Sequence, residues 1–395
     1  MSKTIYDESA LLHESLGGKL DVCPKRHVET RKDLSLMYTP GVAEPCRRIA
    51  ANPEEVYKYT WKKNTILVVS DGTAVLGLGN IGPRAAMPVM EGKALLFKEF
   101  GCVNAIPMCL DTTDPDEIIK AVRWMSPGYG GINLEDIAAP NCVYIEEHLQ
   151  DLGIPVFHDD QHGTAIVVAA AIINSAKVVG KEISDLTVVM SGAGAAGSAI
   201  IKMLKNNLGV KEIFAFDKYG IITQMDNGKE YQDFLRKQLA EITNSGRQSI
   251  TMEEAMTMAD VFIGVSVPNR ITPEMVSSMK RDPIVFAMAN PDPEITEAAG
   301  KAAGARIMAT GRSDSTIQVN NLLAFPGVFM GALQCGATRI TEEMKVAAAY
   351  ALASLVPDKE LSDTNILPNA LDPRVAPTLG MAVAGKAAEQ RITRF

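Results

Sequence analysis

The sequence lacks the cysteine motifs that usually build a metal or redox site. It has six cysteines in 395 residues, at positions 23, 46, 102, 109, 142 and 335, and no C-x-x-C pair. Zinc ribbons and thioredoxin-like centres need such pairs. We therefore expect six reduced thiols, as is usual in cytoplasmic proteins.

Basic runs and long apolar runs are also missing. The net charge is −8 and no stretch is rich in Lys and Arg, which argues against a nucleic-acid partner. The longest apolar run, Ala165–Ile173, is too short to span a bilayer. The first eighteen residues have neither the apolar core of a signal peptide nor the Arg-rich, acid-poor composition of a transit peptide. We expect a cytoplasmic protein with no membrane or nucleic-acid partner.

What the sequence does contain is an alternation of strand and helix patterns. This alternation predicts parallel sheets and an α/β fold, doubly wound in the second half. We place a domain boundary so that residues 1–158 form one domain and 159–395 the other. Three local predictions go with it: a strand–turn–strand hairpin over 65–79, a helix over 85–100 that Pro88 and Gly92 break in its first half, and a solvated polar insertion over 224–238.

Two loops fit the dinucleotide pattern G-x-G-x-x-G. "GAGAAG" lies between a strand pattern and an unbroken helix pattern. Gly192 permits the turn, Gly194 lets backbone approach a phosphate, and Gly197 lets the helix pack on the strand. Ala195 and Ala196 open the helix, whose N-terminus favours a pyrophosphate. We predict that this loop binds NAD or NADP.

The acid expected after such a loop is Asp217, at the end of the next strand pattern. A carboxylate there accepts a hydrogen bond from the ribose and repels a 2′-phosphate, whereas the next residue, Lys218, can pair with one. The choice between NAD and NADP stays open.

The second loop, "GLGNIGP" (77–83), is the weaker candidate. A predicted hairpin precedes it and two prolines follow it, although a strand ending in Asp111 comes next. The alternative is a turn that brings backbone close to the active-site cleft.

Pairs of acids follow two short strand patterns, in "INLED" and "VFHDD". If these strands are parallel neighbours, their four acids meet at one sheet edge and repel one another unless protonated or bridged by a cation. They are Glu135, Asp136, Asp159 and Asp160. Oxygen ligands favour Mg²⁺ or Mn²⁺. Two alternatives remain: a zinc site using His158 or His162, and acids that serve only as N-caps and first-turn acids of the next helices.

Five other side chains are ordinary when taken alone. Tyr38 before Thr-Pro-Gly is typical of a packed ring, Lys93 of a solvated helix residue, and Asn290, Asn320 and Asn321 of turns. The pattern by itself gives none of them a catalytic role.

Taken together, nine segments in one order resemble the malic enzyme family in its short bacterial form. They are "YTPGVAEPC", "SDGTAVLGLGNIG", "PVMEGKALLF", "INLEDIAAPNC", "FHDDQHGTA", "GAGAAG", "ANPDPEI", "GRSD" and "QVNNLLAFPG". The resemblance implies an amino-acid-dehydrogenase-like N-terminal α/β domain followed by a Rossmann domain. It also implies metal-dependent oxidative decarboxylation of (S)-malate to pyruvate and CO₂ with reduction of NAD(P)⁺, decarboxylation of oxaloacetate, and a homodimer or higher oligomer.

The resemblance further implies a role for single residues. It assigns a general acid to Tyr38, a general base to Lys93, metal ligands to Glu135, Asp136 and Asp160, and substrate contacts to Asn290 and Asn320, with Asn290 also beside the cofactor. For Lys93 to act as base, we expect its pKa to be lowered by the cation and by burial.

The sequence departs from larger relatives at one position. Where they carry a substrate arginine between "DG" and "LGLG", this chain has Ala74, so another cation or backbone amides must hold the second malate carboxylate. Two other functions stay open: a different two-domain dehydrogenase acting on an amino acid or a folate, and a non-catalytic dinucleotide sensor.

Overall fold

A computed structural model describes residues 4–75, 77–223 and 233–395. Within these residues two β-sheets follow one another along the chain, one of four strands and one of six. This arrangement confirms the predicted α/β fold with a doubly wound second half.

The first sheet is parallel throughout. Four helices precede it: α1 (Ile5–Leu16), α2 (Arg31–Met37), α3 (Ala43–Ala51) and α4 (Val56–Tyr59). The alternating elements are β1 (Thr65–Ser70), α5 (Gly82–Gly101), β2 (Asn104–Cys109), α6 (Pro115–Met125), β3 (Gly131–Leu134), α7 (Asn141–Glu147) and β4 (Val156–His158). The strand order is β2-β1-β3-β4, so β3 and β4 are parallel neighbours.

The second sheet begins after a long helix. Its elements are α8 (Asp159–Val179), β5 (Thr187–Ser191), α9 (Ala195–Lys202), β6 (Glu212–Asp217), β7 (Gly220–Ile221), α10 (Phe234–Ile242), α11 (Met252–Thr257), β8 (Val261–Gly264), α12 (Pro273–Ser277), β9 (Ile284–Ala287), α13 (Glu297–Ala302) and β10 (Ile307–Thr310). The strand order is β10-β9-β8-β5-β6-β7, and only the two-residue β7 runs antiparallel. The order reverses beside β5, where open sheets bind ligands.

Three helices close the fold: α14 (Phe325–Gln334), α15 (Glu342–Ser354) and α16 (Val375–Glu389). Helix α14 returns to the first sheet, where Phe325 and Phe329 pack against Phe97 at centroid distances of 4.6 and 5.3 Å. Phe329 also meets Phe157 from β4. The C-terminal helices therefore contribute to the core of the first sheet, and the boundary at 158/159 stays a prediction.

Helix α8 is long and apolar enough to cross a membrane by length and composition alone. Of its most apolar window, 72% is buried inside the protein. That burial is typical of a core helix, and α8 packs between α9 and α15. The cytoplasmic location stays a prediction.

The structure corrects three local predictions. The described residues 74, 75 and 77–79 form no strand paired with β1, because β1 already pairs with β2 and β3 on its two sides. Helix α5 runs through Pro88 without a break, since its buried face, including Ala86, Met90 and Phe97, fixes it on the sheet. In the predicted insertion 224–238, residues 224–232 lie outside the described residues, but α10 begins at Phe234 and buries Leu235.

Candidate active site

Lys93 on α5 lies beside the acids that follow β3 and β4. Its side chain is only 8% exposed, and its Nζ lies 2.9 Å from Glu135 Oε1 and 2.7 Å from Asp159 Oδ2. The ammonium also stands 4.2 Å from the centroid of the Phe325 ring. A buried lysine is costly unless paired, so the expectation of a solvated lysine from the local pattern is wrong.

Three carboxylates beside Lys93 form a compact cluster. Oxygen atoms of Glu135, Asp136 and Asp160 all lie within 4.8 Å of one another. They come together because Glu135 and Asp136 follow β3 while Asp160 follows its parallel neighbour β4. Asp160 is also a first-turn acid of α8, as the alternative allows, but no side chain caps that helix.

A turn from β1 holds Asp136 in place. Asp136 has a positive φ of 54°, which is uncommon for a residue other than glycine. Its carbonyl accepts a hydrogen bond from the Ala74 amide (2.9 Å), and its own amide donates to Asp160 Oδ2 (2.8 Å). Asp71 accepts from Thr73 Oγ1, which in turn accepts from the Ala138 amide. The Asp-Gly-Thr turn thus fixes the loop that carries the acids.

The crowded acids have shifted pKa values. Burial and the carboxylates of Asp160 and Glu135 raise the pKa of Asp136 to about 9. Burial also raises the pKa values of Glu135, Asp159 and Asp160. Four carboxylates around one ammonium leave an excess of negative charge that a divalent cation would relieve.

The pKa of Lys93 does not follow the sequence-based expectation. Burial lowers it, but Asp159, Glu135 and Asp160 together outweigh burial, and the pKa is raised. In the protein alone, Lys93 is therefore a cation at neutral pH. The prediction of a lowered pKa considered burial and a bound cation, and it left out the carboxylates that face the ammonium.

The donor set fits a hard divalent cation. The cluster offers only oxygen, and Asp136 Oδ2 is buried with no hydrogen-bond partner. His158 Nε2 lies 3.9 Å from Asp160 Oδ2, and burial lowers the pKa of His158 to about 4. His162 Nε2 instead lies 2.8 Å from Glu146 Oε2. Among the described residues, the cluster that could hold a metal ion thus offers oxygen atoms and no histidine, a donor set that favours Mg²⁺ or Mn²⁺ over zinc.

Two contributors to this site were not identified as such from the sequence. Asp159 was counted among the four acids, but the sequence did not show its ion pair with Lys93. That pair forms because α5, which carries Lys93, lies beside the start of α8. Glu146 on α7 accepts from the His158 amide (3.1 Å) and from Gln161, which anchors the start of α8. A buried acid inside a helix pattern was the only available signal for Glu146.

The loop 192–197 joins β5 to α9 as the sequence predicts. Gly192 has φ 102° and its amide donates to the Phe216 carbonyl. A Cβ on Gly197 would lie 1.9 Å from the Gly192 carbonyl oxygen, whereas one on Gly194 would meet nothing within 4 Å. Gly197 is thus required by packing, and Gly194 leaves open space at the N-terminus of α9, where Ala195 and Ala196 begin the helix.

Asp217 at the end of β6 is already paired. Its Oδ2 lies 2.8 Å from Arg236 Nε, and its Oδ1 accepts from the Tyr219 amide at 2.7 Å. The Arg236 guanidinium and the Lys218 ammonium both lie about 5 Å from the centre of the Tyr219 ring. Sequence reasoning missed Arg236, since it lies on another helix.

The loop 77–83 of the first half of the protein packs against the second half. Gly77 has φ 75°, and a Cβ there would lie 2.2 Å from the Asn290 carbonyl oxygen. The loop therefore packs directly on the turn after β9 that carries Asn290. This is the close backbone approach that the sequence left as the alternative to cofactor binding.

The other predicted residues have varied surroundings. Asn290 is exposed, and Asn320 Oδ1 accepts from the Leu322 amide at 2.9 Å, which is a cap of a short turn. Tyr38 ends α2 with its side chain 67% exposed, unlike the buried Lys93. The Ala74 amide already donates to Asp136, which removes it from the amides that could hold the second malate carboxylate.

Sequence profiles match the chain in two parts. The malic enzyme N-terminal domain matches residues 17–150, and the malic enzyme NAD binding domain matches residues 161–388. The chain belongs to the malic enzyme family. It is an NAD(P)-dependent oxidoreductase of that family, as the resemblance predicted.

Relatives match over nearly the full length. The bifunctional malic/malolactic enzyme of Bacillus subtilis is 52% identical over 99% of this chain and 95% of its own, and the NAD-dependent malic enzyme of Geobacillus stearothermophilus is 50% identical over 99% and 80%. The malic enzyme structure from Pyrococcus horikoshii superposes with a TM-score of 0.90 at 46% identity, covering 97% of this chain and 92% of its own. For the NAD-dependent malic enzyme structure from Thermotoga maritima, the TM-score is 0.92 at 46% identity, with coverage of 95% and 99%.

Proposed function

We propose that the chain oxidatively decarboxylates (S)-malate to pyruvate and CO₂, reduces NAD⁺ or NADP⁺, requires Mg²⁺ or Mn²⁺, and also decarboxylates oxaloacetate. The observation that carries the proposal is the contact of Lys93 Nζ with Glu135 and Asp159, beside the cluster of three carboxylates. A base next to an oxygen-only cation site is what the oxidation and decarboxylation of a 2-hydroxy acid require.

Glu135, Asp136 and Asp160 would hold the cation. When bound, it would supply the positive charge that lowers the pKa of the malate hydroxyl and stabilises the enolate left by loss of CO₂. Its charge would also offset the carboxylates that keep Lys93 protonated. The fit rests on the buried, unpartnered Oδ2 of Asp136 and on the crowding of the acids.

Lys93 acts as the base in this proposal. It would accept at Nζ the proton from the C2 hydroxyl during the oxidation, for which a bound NAD(P)⁺ would be the hydride acceptor. It can do so only when the neighbouring carboxylates are neutralised, because they raise its pKa. Asp159 keeps the Nζ directed at the cleft through its 2.7 Å contact.

Tyr38 acts as the acid that protonates C3 to give pyruvate, while Asn290 and Asn320 contact the substrate. The glycine loop 192–197 would hold the pyrophosphate, and backbone amides at the start of α9 would be the donors. The open space at Gly194 supports this assignment.

We also infer that the chain accepts NADP⁺ as well as NAD⁺. Asp217 alone would repel a 2′-phosphate, but its carboxylate is engaged by Arg236, and Lys218 adds a second cation on the Tyr219 ring. Arg236→Ala should lower kcat/KM for NADP⁺ about tenfold or more and leave NAD⁺ nearly unchanged. Lys211→Ala, at the exposed position just before β6, is the control. A rise in the NADP⁺ to NAD⁺ ratio in Arg236→Ala would contradict the inference.

The function is tested by absorbance at 340 nm with malate and Mn²⁺, using NAD⁺ and NADP⁺ in parallel, each with and without EDTA. We expect a metal-dependent increase and pyruvate as the product. Lactate is measured too, because the B. subtilis relative is named both malic and malolactic enzyme. No increase with either cofactor, from folded protein, would support a different two-domain dehydrogenase or a sensor.

A further inference from the structure

An open cavity of about 450 Å³ is lined by helix α7 of the first half of the chain and helix α9 of the second half. The first turn of α8 and the start of α15 complete its wall. Cavities of roughly 300–1,000 Å³ are the size that small-molecule ligands occupy. Neither Lys93 nor the loop 192–197 belongs to its described lining, so the cavity is distinct from the proposed active site.

The wall on the α9 side has an unusual backbone. The Leu208 amide donates to the Met203 carbonyl at 3.1 Å, five residues back, so the chain after α9 makes one π-helical turn over Met203–Asn207. Single π turns are rare and are frequently found at functional sites. Asn206 and Asn207, two exposed residues at the end of this turn, line the cavity. The turn therefore adds two carboxamide residues to the lining.

Two charges at the cavity lack a charged partner. Lys202, the last residue of α9, donates from Nζ to Gln238 Oε1 at 2.9 Å, and this carboxamide does not offset the ammonium charge. Glu147, the last residue of α7, is exposed. Neither Lys202 nor Glu147 forms an ion pair with another described residue. The cavity therefore carries one free positive and one free negative charge, on helices from different halves of the chain.

The charges deeper in the cavity are already matched. Lys345 is buried, and its Nζ lies 2.7 Å from Glu342 Oε1 and 3.0 Å from His162 Nδ1. His162 Nε2 lies 2.8 Å from Glu146 Oε2. Because these groups contact one another, they leave the two free charges at the ends of α7 and α9 for a ligand.

The matched charges also connect the cavity to the start of α8. Glu146 accepts hydrogen bonds from the His158 amide (3.1 Å) and from Gln161 Nε2 (3.2 Å), and Asp160 lies between those two residues in the chain. The next step rests on the proposed function, in which Asp160 holds the cation. A molecule that contacts Glu146 in the cavity acts on the segment that positions Asp160.

A ligand for this cavity must match both free charges. A simple anion would be attracted by Lys202 and repelled by Glu147, and a simple cation would meet the reverse. An amino acid carries an ammonium and a carboxylate and can satisfy both, with the carboxamides of the α9 side as further donors to its carboxylate. We propose that the cavity binds an amino acid as a zwitterion, and that its occupation changes the affinity of the carboxylate cluster for Mg²⁺ or Mn²⁺.

Titration with amino acids of increasing charge separation tests the site. Glycine, β-alanine, γ-aminobutyrate and δ-aminovalerate are added to the full chain without metal, malate or dinucleotide, and melting temperatures give the half-saturating concentration of each. We expect one separation to bind best, because Lys202 and Glu147 stand on fixed helices. Butyrate and butylamine carry only one charge each and should not raise the melting temperature. No saturable rise with any of the four amino acids would overturn the proposal.

Two variants distinguish a site from a general effect of solutes. Lys202→Ala and Glu147→Gln each remove one free charge and should raise the half-saturating concentration about tenfold. Lys211→Ala and Glu182→Gln, at exposed positions outside the described cavity lining, are the matched controls and should bind like the wild type. Equal binding by all four variants would show that the cavity is not the site.

The link to the cation is measured with Mn²⁺. At a saturating concentration of the best amino acid, we expect the Mn²⁺ concentration for half-maximal stabilisation to change about fivefold or more. The same titration of Lys202→Ala corrects for Mn²⁺ that the amino acid itself chelates. An unchanged Mn²⁺ midpoint would overturn the link. Amino-acid binding without any Mn²⁺ binding would instead contradict the proposed cation site and leave the cavity assignment standing.

Discussion

Both sheets end at the cleft, but they present different chemistry there. At the carboxyl end of the first sheet lie one buried ammonium and several buried carboxylates, with raised pKa values for Lys93 and Asp136. At the carboxyl end of the second sheet lies the loop 192–197, made of glycine and alanine. The carboxyl end of the first sheet carries buried negative charge that needs a counter-ion. The carboxyl end of the second sheet leaves space for a phosphate, because its loop residues have small side chains or none.

This difference predicts how substitutions at the carboxyl end of each sheet affect stability and activity. A substitution at the charged edge leaves an unpaired buried charge, which affects both stability and chemistry. A substitution at the glycine edge adds atoms, and its cost depends on what the new atoms meet.

The largest effect is expected for Lys93→Ala. It removes the proposed base, for which a loss of roughly 10²–10⁴-fold in kcat is usual. It also leaves Asp159 and Glu135 without their cation, at a cost of about 3–5 kcal/mol in the free energy of unfolding. Initial rates and urea unfolding measure both, with Lys98→Ala, exposed on the same helix, as the control. Full activity in Lys93→Ala would remove the base assignment.

Asp136→Asn should abolish the response to metal. Mn²⁺ at a hundred times its Kd should stabilise the wild-type protein by about 2.7 kcal/mol. The variant loses one ligand and part of the repulsion that the cation relieves, so its melting temperature should hardly rise with Mn²⁺. Differential scanning fluorimetry with and without EDTA measures this. Asp185→Asn, an exposed acid before β5, should respond like the wild type, and an equal response of Asp136→Asn would exclude Asp136 as a ligand.

At the second edge, Gly194→Ala and Gly197→Ala should differ. A Cβ at Gly194 meets nothing within 4 Å, so stability should hold while KM for the dinucleotide rises about tenfold, since the methyl group occupies the phosphate space. A Cβ at Gly197 meets the Gly192 carbonyl at 1.9 Å, so both stability and cofactor binding should weaken. Titration of NADH fluorescence and thermal unfolding separate the two. Unchanged dinucleotide binding in both variants would argue against this loop as the phosphate site.

The smallest effect is expected in the loop 77–83, which shares the G-x-G-x-x-G pattern but not the proposed role. Gly77 and Gly79 have φ values of 75° and 74°, so alanine strains both by about 1–2 kcal/mol. Only Gly77 also meets the Asn290 carbonyl, which should add about 1 kcal/mol. Denaturant unfolding measures the difference. A tenfold rise in KM for the dinucleotide in Gly79→Ala, the less destabilised of the two variants, would point to cofactor binding here.

Prediction from the sequence worked where the signal is local. The turn and helix around Gly192 are encoded within one segment, and the two acid pairs follow recognisable strands. The predictions of a hairpin over 65–79 and of a break in α5 were wrong. Both failures have the same cause, because sheet pairing on both sides of β1 and burial of one face of α5 outweigh a local Asp-Gly or proline signal.

The sequence by itself determined the α/β alternation, the glycine loop and the acids at two strand ends, because each depends on residues close together in the chain. Family membership also followed from the order of its motifs. Only the tertiary structure decided that Lys93 is a buried cation between Glu135 and Asp159, that Arg236 pairs with Asp217, and that Tyr38 is exposed. These features join residues far apart in the chain, and charge and burial act through space rather than along the sequence.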